Sequence, residues 1–137
     1  MFKGILVGYD GSEPARKSIL AAFEIAKYMN SKVTFLAVVH PPDFVEFDVK
    51  NFVEKAEEQF AKAFSWAKQE ALRSGVDLQV RVEVGHPAEV LVDVADNEKF
   101  DLIIMGRRGI TNVKRWMLGS ISERVLRYAH CPVMVLH

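Results

Sequence analysis

The stretch Asp101-Leu-Ile-Ile-Met105, followed by Gly106-Arg-Arg-Gly109, nine residues and Gly119-Ser120, reads as strand, glycine-rich loop and helix in that order. Residues 102–122 hold four basic side chains (Arg107, Arg108, Lys114, Arg115) and no acidic one. A basic strand-to-helix loop with a hydroxyl at its far end is built to hold an anion, and phosphate is the anion it suits.

Working outward from that loop, the chain alternates strand and helix patterns. Residues 3–9 (Lys-Gly-Ile-Leu-Val-Gly-Tyr) are a short apolar run closed by the turn signal Asp10-Gly-Ser12. Ser12 can cap the helix that follows, and Pro14 sits in its first turn, where a missing N–H costs nothing. Ala15, Ile19, Ala22, Phe23, Ala26 and Met29 recur at helical spacing, and the helix is expected to end near Asn30. Residues 33–39 are apolar on both faces, as a central parallel strand should be. Residues 40–50 have no clear period; a flap, a partner-binding loop and packed irregular chain all remain open for them.

A long helix is expected over 49–74, with Val53, Ala56, Phe60, Ala63, Ala67 and Ala71 as its buried stripe and Gly75 as its left-handed cap. Leu78 to Val84 alternates polar and apolar residues like a half-exposed edge strand. His86-Pro87 opens a short helix with Val90, Leu91, Val94 and Ala95 inward; a last helix runs from about Ser120 to Ala129, and Pro132 to Leu136 is the fifth strand. Such alternation predicts an α/β fold, an open five-stranded parallel sheet with helices on both faces. The order 3-2-1-4-5 puts the topological switch between strands one and four, so the turn after Tyr9 and the loop after Met105 share one crevice.

Composition narrows the function. The 137 residues fit one domain, 1–137, that is 50% hydrophobic and 26% charged. Eighteen basic and eighteen acidic residues balance, which argues against a general nucleic-acid or membrane-surface binder while allowing a local basic site. The single cysteine, Cys131, gives no disulfide framework and suits a reducing cytosol, where it reads as a small core hydrophobe. No apolar run approaches the ~20 residues of a membrane helix. With a first strand that starts at once, the expectation is a cytoplasmic protein.

These residues together resemble the universal stress protein (UspA-like) family. The likeness is carried by Gly106-x-x-Gly109, nine residues and Gly119-Ser120, by the strand running into Tyr9-Asp-Gly-Ser12, by Val84-Gly-His-Pro87 and by Cys131-Pro-Val133. The resemblance implies a Rossmann-like adenine-nucleotide-binding fold, and this glycine pattern implies the subgroup that binds ATP, with Mg or Mn. It places Asp10 at the ribose or metal position and Val38 where backbone meets adenine. Gly106, Arg107, Arg108, Gly109, Gly119 and Ser120, with Ile121 behind them, then line the ribose and phosphates. It also implies a homodimer. The last strand, Pro132 to Leu136, is apolar on both sides at a sheet edge and calls for a partner strand, for which its own copy is the economical choice.

Several of these residues have a second reading. Ser120-Ile-Ser-Glu123 fits a capping box, which would share the helix end with a phosphate. Asp10 can satisfy loop amides instead of a ligand. Lys114 and Arg115 suit a solvated basic loop, His86 a helix cap, and the four histidines show no metal-ligand spacing. No nucleophile–base pair or carboxylate pair suggests fast hydrolysis. The expectation is therefore an ATP-binding, stress-linked switch or sensor. A slow Mg-dependent ATPase or phosphotransferase, or an interaction module with a vestigial pocket, are the alternatives.

Overall fold

A computed structural model describes residues 1–41, 48–107 and 118–137. The elements run β1 (Gly4–Tyr9), α1 (Glu13–Met29), β2 (Lys32–Val39), α2 (Val49–Ser74), β3 (Asp77–Val84), α3 (Pro87–Asn97), β4 (Leu102–Gly106), α4 (Ser120–Tyr128) and β5 (Val133–Leu136). The five strands form one sheet in the order β3-β2-β1-β4-β5, every pair parallel, as the alternation of elements requires.

The register aligns Gly4 with Lys32, Ile5 with Leu102 and Ile103 with Val133. Asp101, just before β4, accepts the N–H groups of Lys3 and Gly4 at 3.0 and 3.1 Å, and so pins the start of β1. Two cores cover the two faces. Ile5, Val7, Val33, Phe35, Leu102 and Ile104 meet α1 and α2; Leu6, Leu36, Ile103 and Met105 meet α3 and α4. Central strands with both faces covered explain why their sequences are continuous apolar runs.

The helices end where local chemistry says they should. Ser12 Oγ accepts the Ala15 N–H at 3.3 Å, and Asn30 closes α1 in the left-handed region with φ 56°. Gly75 closes α2 at φ 70°. The buried stripes differ in detail from those expected. On α1, Ser18 is buried and Met29 is exposed; Ser18 reaches the core because its hydroxyl donates to the Pro14 carbonyl within its own helix. On α2, Phe64 is buried, whereas Val53, Phe60 and Ala63 are only half-buried. Phe64 stacks edge-on against Phe35 at 5.6 Å, so the stripe rotates toward that ring. The edge strand β3 carries Arg81, which pairs with Glu98 at 2.7 Å and Glu83 at 2.8 Å. Among the described residues no helix is long and apolar enough to cross a membrane. Of residues 40–50, positions 42–47 lie outside the described residues, so the three readings of that segment are not decided.

Candidate functional site

The crevice at the C-terminal ends of the strands lies where β1 and β4 part. From β1 the chain turns through Asp10-Gly11-Ser12 into α1. Gly11 takes φ 91°, a conformation that favours glycine, and Asp10 Oδ1 accepts the Ser12 N–H at 2.9 Å. Asp10 is exposed, and its second carboxylate oxygen has no hydrogen bond among the described residues. The loop-stabilising reading of Asp10 therefore holds, and it leaves one oxygen for another partner.

Gly106 ends β4 directly against this turn. A Cβ on Gly106 would come within 2.9 Å of Pro14 Cβ and 3.3 Å of the Ala15 nitrogen. It is not among the glycines with positive φ. Close approach to the first turn of α1, rather than a left-handed backbone, is what requires glycine here. The contact also fixes Asp10 and the start of the basic loop in one crevice.

The two ends of that loop are tied together. The Arg107 carbonyl accepts the Gly119 N–H at 2.8 Å and the Ser122 hydroxyl at 2.6 Å, while the Arg107 N–H donates to the Leu136 carbonyl. Arg107 is thus a backbone junction between β4, β5 and α4, and its side chain is half-buried. Arg108, Gly109, Lys114 and Arg115 lie outside the described residues.

The capping box is not formed. Gly119, not Ser120, is the residue before α4, and it is buried. Ser122 takes the structural hydroxyl role, bonding the Arg107 and Gly119 carbonyls at 2.6 and 3.0 Å. Glu123 turns away and accepts from Arg127 at 3.1 Å, one turn along the same helix. Ser120 is left exposed at the first position of α4, with Ile121 half-buried behind it against the α3–α4 core.

Val38 closes the far side, half-buried on that same core. The Lys32 N–H donates to the Lys3 carbonyl at 2.8 Å and the Gly85 N–H to the Val39 carbonyl at 3.0 Å. Successive residues of a parallel strand address opposite neighbours, so even-numbered residues of β2 address β1. The Val38 carbonyl would next need a donor at position 11, but β1 has ended at Tyr9 and Gly11 has turned away. The register thus leaves that carbonyl beyond the last residue of β1, with no β1 strand residue opposite its next donor position. Neither composition nor periodicity marks it; only the register does.

A neighbouring cluster escaped the sequence. His86 stands before α3 without a side-chain cap bond; instead its Nε2 meets an Arg124 guanidinium nitrogen at 2.9 Å. Arginine only donates, so Nε2 accepts and the buried Nδ1 carries the proton. His40 lies 6.0 Å away, ring centroid to ring centroid, and Glu89 reaches Arg124 at 3.5 Å. Sequence separations of 38 and 35 residues hid these contacts. Cys131 is half-buried on the α3–α4 side; burial, then Asp96 and Asp101, push its thiol up from the usual range. Among the described residues, no group of three His, Cys, Asp or Glu side chains could hold a metal ion.

Comparison with known proteins agrees with this architecture. A universal stress protein UspA from Lactobacillus plantarum superposes with a TM-score of 0.81 at 26% identity, over 99% of this chain and 98% of that one. A universal stress protein in complex with cAMP superposes at 0.78, with 25% identity over 99% and 97% of the two chains. Universal stress protein MJ0531 of Methanocaldococcus jannaschii is 34% identical over 140 residues, 99% of this chain and 82% of the relative. The model of the universal stress protein family matches residues 1–137. The chain belongs to the universal stress protein family.

Proposed function

We propose that this protein binds ATP in the crevice between β1 and β4 and acts as a nucleotide-dependent switch or sensor in a stress response. One observation supports the reading: Gly106, at the end of β4, packs against the first turn of α1, next to the turn that holds Asp10, and the Arg107 carbonyl that follows it accepts the Gly119 N–H just before exposed Ser120. The phosphates would take the loop amides of Gly106 to Gly109 and the Ser120 hydroxyl, with Arg107 and Arg108 as charged donors nearby. The start of α4 favours an anion, and Glu123 does not occupy it, being paired with Arg127. Adenine would place its amino group on the Val38 carbonyl, an acceptor that suits adenine's donor at that edge. The structural relative in complex with cAMP supports an adenine nucleotide as ligand class.

Asp10 would hold a divalent ion, Mg²⁺ or Mn²⁺, because its uncommitted oxygen is a hard donor beside the phosphates. When bound, that ion neutralises phosphate charge. The Asp10 carboxylate is meanwhile kept in place by the Ser12 N–H. We place the protein in the cytoplasm and read β5 as a homodimer edge. Its four residues are each half-buried and, among the described residues, the strand pairs with β4 on one side only.

Gly109→Val tests the loop. It is expected to lower ATP affinity more than ~10-fold while the circular dichroism and melting curve stay near wild type. Global unfolding of the variant, or unchanged affinity, contradicts a phosphate role for that glycine.

A further inference from the structure

On the opposite, α1–α2 face lies a cavity of about 270 Å³ lined by Tyr9, Arg16, Phe35, Lys62, Ala63 and Trp66. Tyr9 leaves β1 just before Asp10, but its ring packs into the α1–α2 core, edge-on to Phe35 at 4.8 Å and Phe60 at 5.7 Å. Val38, by contrast, packs on the α3–α4 core. The cavity therefore lies on the α1–α2 face of the sheet, whereas Val38 packs on the other. It is also smaller than the roughly 300–1,000 Å³ of pockets that enclose drug-sized ligands, so it suits a single ring.

Its chemistry is one-sided. The Arg16 guanidinium sits 4.3 Å over the Trp66 ring. A guanidinium held on a ring face keeps its in-plane N–H groups for another acceptor. No described carboxylate lies within 4.0 Å of Arg16 or Lys62. Arg16 thus stands over an aromatic wall and Lys62 on the rim of the same cavity, neither ion-paired with a described carboxylate. Burial pushes the Tyr9 hydroxyl up from its ordinary range, with Asp10 and Glu13 adding to that and Arg16 opposing it. The tyrosine stays a neutral phenol, able to donate.

The geometry points to a second binding site between α1 and α2 for a small aromatic carboxylate, its ring against Tyr9 and Trp66 and its carboxylate on Arg16 and Lys62. The inference does not depend on ATP binding and is tested without nucleotide. Benzoate is titrated into the Trp116→Phe protein at constant ionic strength, so that emission reports Trp66; benzyl alcohol, of similar size and uncharged, is the control. A ligand of this size predicts saturation with a dissociation constant on the order of 1 mM. Arg16→Gln with Lys62→Gln is expected to weaken binding at least ~10-fold, the loss of two charge-assisted contacts. Lys62→Gln alone leaves the Arg16–Trp66 stack intact and carries the test if the double variant fails to fold; about 3-fold weakening is expected of it. Three results overturn the site: no saturation by ~10 mM benzoate, equal binding of benzyl alcohol, or benzoate binding indifferent to Lys62.

Discussion

Ser120 and Ser122 stand one residue apart, and their environments give them different roles. Ser122 is buried and its hydroxyl lies 2.6 and 3.0 Å from two carbonyls, so Ser122→Ala removes one of the two donors to the Arg107 carbonyl, which keeps the Gly119 N–H. A loss of about 1–2 kcal/mol is expected, read as a melting temperature lower by a few degrees. Ser120→Ala should leave stability within about 0.5 kcal/mol of wild type and instead weaken ATP binding in calorimetry. A capping box would give the reverse pattern for stability. The Ser-x-x-Glu pattern misleads because it sees only local partners. The acceptor that claims Ser122 is the Arg107 carbonyl, 15 residues away and brought close by the loop's neck. Asp10→Asn keeps an oxygen for the Ser12 N–H but loses the charge. The fold should survive, and any gain in ATP affinity from added Mg²⁺ should disappear; a Mg²⁺ effect equal to wild type would remove Asp10 as the metal ligand. At Cys131 the raised thiol leaves less thiolate at neutral pH than a free cysteine has, so Ellman's reagent should react at least ~10-fold faster with the unfolded chain than with the folded one.

At the scale of elements, the contact between α1 and β4 is the one that builds the crevice. Gly106→Ala puts a methyl 2.9 Å from Pro14 Cβ, and neither the proline ring nor the strand end can swing aside cheaply. About 1–3 kcal/mol of destabilisation is expected, measured by urea unfolding. A neutral result would mean that the first turn of α1 is free to shift. The elements themselves were readable because their apolar periods are long and their ends are chemically marked, by Ser12 and Asn30 for α1 and Gly75 for α2. Less readable was which residue of a stripe is deepest. Phe64 wins over Phe60 through its contact with Phe35, and Ser18 passes as a core residue through a bond inside its own helix. Both depend on three-dimensional neighbours that a helical period cannot express.

For the molecule as a whole, the strand order was legible because continuous apolar runs mark central strands and the alternating run of β3 marks an edge. From that order came the expectation of a crevice at the switch point between β1 and β4. Val38 was reached only through the family resemblance, not through composition or period, and the His86–Arg124 contact was not legible at all, since each is set by register or packing between distant segments. The free edge of β5 gives a prediction at this scale. Val135→Asp should shift the mass seen by light scattering from dimer to monomer, and an unchanged dimer would place the interface elsewhere. The central claim, that this crevice is an ATP site, is tested most directly by isothermal calorimetry of the unmodified protein with ATP and Mg²⁺. Saturable one-site binding of ATP that Gly109→Val weakens more than ~10-fold is the predicted result; no heat of binding at millimolar ATP would contradict it.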